Sequence, residues 1–153
     1  MRRLRILLAD DQPEILSLLQ VLLEPDYKVV GTVEDGQSLI AAAQALRPDI
    51  ILTDVDMPVL NGIAAMRELH QAMPDCRVIF HSSHNDPDVM AAAFAAGASG
   101  YLIKGSSQSL LSSIRTVVRH VWTHEKDLAT SRTPAYPLSH QRWTQNEPSL
   151  RNP

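Results

Sequence analysis

The chain has 153 residues, 44% of them apolar and 20% charged, which suits one domain with a buried core and excludes a fibrous or wholly disordered protein. With 14 basic residues against 17 acidic ones and a net charge of -3, it lacks the clustered basic excess that nonspecific DNA binding needs, so no direct nucleic-acid contact by this chain is expected. The single cysteine, Cys76, excludes an internal disulfide framework and a thiolate zinc site and suits the cytoplasm, and no apolar run approaches the roughly 20 residues of a membrane span.

In chain order, a short strand is expected at Arg5 to Ala9, where Asp10 and Asp11 stop the apolar run too early for a secretory signal. A helix follows with Ile15, Leu18, Leu19 and Leu22 on one face, then a strand at Lys28 to Val33 and a helix bearing Leu39, Ala42, Ala43 and Leu46. The third strand is Ile50 to Thr53, with a helix from about Gly62 to Met73, and the fourth is Val78 to His81. Asp86 before Pro87 reads as an N-cap with proline in the first turn of a fourth helix, which carries Val89, Ala92, Ala93 and Ala96 and ends at Gly97. A fifth strand at Tyr101 to Ile103 and a helix from about Gln108 to Trp122 complete the series.

Most of these strands are apolar on consecutive residues, as expected where both faces are covered. Five alternating strands and helices therefore predict an α/β fold, (βα)5, a doubly wound parallel five-stranded sheet whose ligands sit beyond the carboxyl ends of its strands. Residues 1–123 form the domain on this reading. From His124 to Pro153 the periodicity fails among Pro, Ser, Thr, Asn and Gln, so 124–153 reads as a flexible C-terminal tail.

The carboxyl ends carry the chemistry: Asp10 and Asp11 after the first strand, Asp54 after the third, Ser82 after the fourth and Lys104 after the fifth. A lone aspartate there is commonly a turn residue or helix cap. Three acids, a hydroxyl and an ammonium at one sheet edge ask for more. Converging carboxylates repel unless a cation lies among them, and hard oxygen ligands favour Mg2+, which takes one or two carboxylates and keeps several waters. An ammonium and a hydroxyl nearby suit a phosphoryl group, with Asp54 as the central candidate nucleophile.

The segments Leu-Leu-Ala-Asp10-Asp11, Leu-Thr-Asp54-Val-Asp56-Met57-Pro58 with Gly62 following, Val-Ile-Phe-His-Ser82-Ser83 and Ala-Ser-Gly-Tyr101-Leu-Ile-Lys104 resemble the receiver domain of bacterial two-component response regulators over about residues 4–122. The likeness is to the branch that usually carries a LuxR-type helix-turn-helix output, a module not expected from the residues present here. The resemblance implies a flavodoxin-like strand order, 2-1-3-4-5. It implies that Asp54 accepts a phosphoryl group from a sensor histidine kinase in phosphorelay signal transduction, with self-catalysed transfer and autodephosphorylation and no other enzyme activity. Asp11, Asp54 and the backbone carbonyl of Asp56 would hold Mg2+, with Asp10 helping through water, while Lys104 would contact the phosphoryl oxygens. Ser82 would move towards the phosphoryl group and Tyr101 would change rotamer in step, reshaping the face of the fourth helix, fifth strand and fifth helix for a downstream protein partner or a homodimer formed on phosphorylation. The family usually places proline after the lysine; here it is Gly105.

Two other readings share parts of the pattern. Asp54-Val-Asp56 after a strand is a DxD pattern of Mg2+-dependent phosphatases of the haloacid dehalogenase type, which want a second acidic pair after a later strand and a substrate cap. A flavodoxin-like FMN binder shares the fold, but Asp10-Asp11-Gln12-Pro13 would repel the phosphate that its first loop must cradle.

Overall fold

The computed structural model describes residues 2–105 and 110–128, with side chains described as far as 120. Its elements are β1 (Arg5–Ala9), α1 (Pro13–Leu23), β2 (Lys28–Val33), α2 (Gly36–Leu46), β3 (Ile50–Thr53), α3 (Gly62–Ala72), β4 (Arg77–Ser82), α4 (Pro87–Ala95), β5 (Gly100–Ile103) and α5 (Leu110–Leu128). The strands form one parallel sheet in the order β2-β1-β3-β4-β5. The chain divides into two compact units after Gly105, and the sheet, the first four helices and every predicted site residue belong to the first.

The central strands are buried on successive residues: Ile6 to Ala9 in β1, all of β3, and Val78 to Ser82 in β4. Because successive side chains point to opposite faces, this pattern means cover on both sides, which the consecutive β-branched and leucine residues stabilise by leaving water. The edge strand β2 is only half-buried and carries Gly31 and Thr32 at its centre. Three expected strands match residue for residue, and β4 and β5 are longer by a residue at one or both ends.

Two helix faces differ from the periodicity. In α1 the buried residues are Leu16, Leu19 and Leu23, whereas Leu18 is exposed, and in α4 they are Met90, Ala93 and Phe94 rather than Val89, Ala92 and Ala96. Both helices are apolar on most positions, so two stripes about one residue apart satisfy the same spacing, and packing selects between them. Helix ends follow local chemistry. Asp35, Asn61 and Asp86 cap α2, α3 and α4 by accepting from the backbone N–H of Ser38, Ala64 and Asp88. Gly97 follows α4 at φ 108°, a left-handed cap.

In the second unit α5 buries Ile114, Val117 and Val118 along one face. It runs five residues past the expected boundary at 123, because no Gly or Pro follows Trp122 until Pro134 and loss of an apolar stripe does not itself end a helix. The expected helix start at Gln108 and the tail from 129 onward lie outside the described residues.

Candidate functional site

The carboxyl ends of the strands are pinned to one another by backbone hydrogen bonds, and this fixes where the site residues stand. Asp10 N–H donates to the Val33 carbonyl at 3.1 Å, Asp54 N–H to the Ala9 carbonyl at 2.9 Å and Lys104 N–H to the Ser82 carbonyl at 2.8 Å. Each residue just past a strand is thereby held by the neighbouring strand end, so the parallel register itself gathers Asp10, Asp54 and Lys104 at one edge.

Lys104 spans the two buried acids. Its Nζ donates to Asp10 Oδ2 at 2.7 Å and to Asp54 Oδ2 at 3.0 Å. Burial works against the ammonium, but hydrogen bonds to Asp10 and Asp54 outweigh it and raise the Lys104 pKa above its ordinary value. Burial pushes the Asp54 carboxyl up, against the pull of Lys104. Asp54 Oδ1 also accepts from the Val55 N–H at 2.7 Å and, more distantly, from the Asp56 N–H at 3.4 Å. Asp10 serves twice: its Oδ1 accepts from Gln12 N–H at 2.9 Å in a local turn before α1, while its Oδ2 faces the lysine.

Asp11, exposed, joins them: one carboxylate oxygen from each of Asp10, Asp11 and Asp54 lies within 4.8 Å of the others. Three carboxylates against the single ammonium of Lys104 leave two negative charges in excess. That donor set fits a hard divalent cation such as Mg2+. The Asp56 carboxylate turns elsewhere, to the ring Nε2 of His84.

Ser82 is fully buried, and its Oγ accepts from the His84 N–H at 3.2 Å. Tyr101, 1% exposed, points inward: its hydroxyl donates to the His84 carbonyl at 2.9 Å, and its ring lies 6.2 Å from that of Phe80. Burial raises the phenol pKa, and a hydrogen bond with Ser82 opposes the rise. The structure thus brings Asp10, Asp11, Asp54 and Lys104 into one cluster, with Ser82 and Tyr101 joined to each other through His84. Periodicity and strand ends do not single out His84: its partner Asp56 is 28 residues away, and no local signal pairs them.

Glycine makes the β3–α3 loop possible. A Cβ on Gly62 would sit 2.0 Å from the Asp54 carbonyl oxygen, and one on Gly36 would sit 2.0 Å from the Leu60 carbonyl oxygen. Between them, Leu60 N–H donates to the Pro58 carbonyl at 2.8 Å around Val59 at φ 69°, a strained three-residue turn. After Lys104, Gly105 adopts φ 76°, and the described residues contain no cis peptide bond.

Comparison with known proteins agrees with this fold. Residues 6–115 match the model of the response regulator receiver domain. The chain is 32% identical over 120 residues to the transcriptional regulatory protein DegU of Brevibacillus brevis, covering 76% of this chain and 51% of that protein, so it spans about half the length of that curated relative. Among solved structures, the response regulator domain of Thermotoga maritima CheB superposes with a TM-score of 0.65 at 32% identity, covering 82% of this chain and 96% of that one. A two-component response regulator of the LuxR family from Aurantimonas superposes with a TM-score of 0.68 at 29% identity, covering 94% and 97%.

Proposed function

The chain belongs to the response regulator receiver domain family of two-component systems, and from that premise we propose that it is a phosphorylation switch in which Asp54 takes a phosphoryl group from a phosphohistidine of a sensor kinase. The observation that carries this reading is Lys104 held between Asp10 and Asp54, with Asp11 beside them.

In the proposed transfer an Asp54 carboxylate oxygen forms a bond to phosphorus as the P–N bond of the donor breaks, and the electron pair leaves with the imidazole nitrogen. Burial makes the Asp54 carboxylate more basic than usual, and the Val55 N–H holds its Oδ1, so the nucleophile is oriented before the donor arrives. Lys104 already lies 3.0 Å from Asp54 and needs little movement to neutralise the transferred phosphoryl oxygens. Asp11, Asp54 and the backbone carbonyl of Asp56, with Asp10 through water, would hold Mg2+, which supplies charge neutralisation for the phosphoryl group when bound.

The output half of the proposal runs through Ser82 and Tyr101. Ser82 donates to the acquired phosphoryl group, and the Tyr101 rotamer follows, changing the part of the α4-β5-α5 face that α4 and β5 contribute. The readers of that face are a downstream protein or a second phosphorylated copy. The relative named above is a transcriptional regulator, and this chain, which spans about half of that protein's length, is proposed to supply the switch alone.

The test is acetyl phosphate with Mg2+ and intact-mass detection. The expected result is one added phosphoryl group, lost with chelator and in Asp54→Asn. Absence of any adduct on the wild-type chain, or an adduct retained by Asp54→Asn, overturns the reading.

A further inference from the structure

Three contacts meet on His84. Its ring Nε2 hydrogen-bonds the Asp56 carboxylate, its backbone N–H donates to Ser82 Oγ at 3.2 Å, and its backbone carbonyl accepts from the Tyr101 hydroxyl at 2.9 Å. Asp56 belongs to the loop after β3, two residues beyond Asp54, whereas His84 belongs to the loop after β4. The side chain of His84 therefore ties one loop to the other, while its main chain holds the two hydroxyls of the proposed switch.

The tie matters because of where Tyr101 finds its acceptor. A buried phenol whose O–H lacks an acceptor costs free energy, and in the inward rotamer the Tyr101 O–H donates to the His84 carbonyl, so holding that carbonyl in place favours this rotamer. That carbonyl sits in an irregular segment whose neighbours Ser83, Asn85 and Asp86 are exposed, and holding such a segment in one conformation costs entropy. A contact anchoring His84 to Asp56 offsets part of that cost. It keeps the acceptor in place for Tyr101.

We propose that His84 is a positioning residue which, tethered to Asp56, biases Tyr101 towards its inward rotamer before any phosphoryl group arrives. The inference rests on the phosphoacceptor reading for its meaning as a switch, and it goes further in naming the side-chain pair that sets the resting position. The His84 and Asp56 side chains are 39% and 65% exposed. A pair so open to water shifts the inward-to-outward ratio by about two- to fivefold, a bias that phosphorylation can still extend.

The experiment follows the Tyr101 ring signal by NMR in the full-length chain, assigned with Tyr101→Phe, with Mg2+ and with or without beryllofluoride as a phosphoryl mimic. Without beryllofluoride, His84→Ala and Asp56→Ala should each lower the inward-to-outward ratio by about two- to fivefold, and by similar amounts because they cut one contact from opposite ends. Asp56→Asn keeps an acceptor oxygen and should stay near the wild type. His84→Ala retains the backbone groups that meet Ser82 and Tyr101, so a change there reports the tether and not the loss of those groups. Backbone amide spectra check that each variant is folded, and the two alanine variants lie on different loops, so either folded one tests the pair. Tyr101 signals in folded His84→Ala or Asp56→Ala that coincide with the wild type overturn the proposal. The beryllofluoride arm is separate: if it moves no signal around Asp54 in any protein, the phosphoacceptor reading fails, while the unliganded comparison still judges the tether.

Discussion

Gly62 lies so close beneath Asp54 that a Cβ on the glycine would stand 2.0 Å from the aspartate's carbonyl oxygen. The contact is with backbone, which cannot swing aside as a side chain does. Gly62→Ala must push the first turn of α3 away from the end of β3, taking the Asp54 main chain with it. The expected cost is about 1–3 kcal/mol in urea unfolding, together with slower phosphorylation by acetyl phosphate. An alanine variant as stable and as fast as the wild type would show that the two backbones separate freely.

Lys104 supplies the ammonium that bridges Asp10 and Asp54, whose side chains are buried. Lys104→Met leaves both carboxylates without that charge and should destabilise the fold by about 3 kcal/mol at neutral pH, the usual scale for breaking a buried pair. Added Mg2+ should recover more stability in the variant than it adds to the wild type, because the cation then replaces the missing charge. Equal Mg2+ responses in the two proteins would argue against an ion among these acids.

His81 is buried, its Nδ1 has no hydrogen-bond partner among the described residues, and burial, reinforced by Lys104, lowers its pKa to about 4. An unfolded histidine takes up its proton near 6.5, so between about pH 6.5 and pH 4 the unfolded chain binds a proton that the folded chain does not. Stability from this group is fully present above that window and falls as pH drops through it, by about 3 kcal/mol in total. Asp54, with its raised pKa, acts with the opposite sign, so the comparison is between the wild type and His81→Val. The valine variant should lose stability less steeply over this range; parallel curves would show that His81 is already protonated in the fold.

Val59 holds a β-branched side chain at φ 69° and exposes 82% of its surface. Strain of this kind costs on the order of 1–3 kcal/mol, and an exposed side chain returns little packing to offset it. Asparagine tolerates the left-handed region, so Val59→Asn should stabilise the chain by about 1 kcal/mol. A drop in melting temperature instead would mean that the valine side chain makes contacts worth more than the strain.

Much of this protein is determined locally. The strands β1, β2 and β3 are legible because β-branched and leucine runs are bounded by residues that cannot continue them, and five alternating units admit the doubly wound arrangement under the right-handed crossover rule. Asp10, Asp11, Asp54, Ser82 and Lys104 are legible as a set because each ends a strand or lies within two residues of a strand's end, and a parallel sheet puts all such ends on one edge. Tertiary structure decides what periodicity leaves degenerate. In α1, where apolar residues occupy seven of eleven positions, only packing chooses Leu16, Leu19 and Leu23 over the neighbouring stripe. It also decides pairings across long separations: Lys104 with Asp10, and His84 with Asp56. A residue's type states which bonds it can make. Which partner it meets depends on loops brought together only when the sheet has formed.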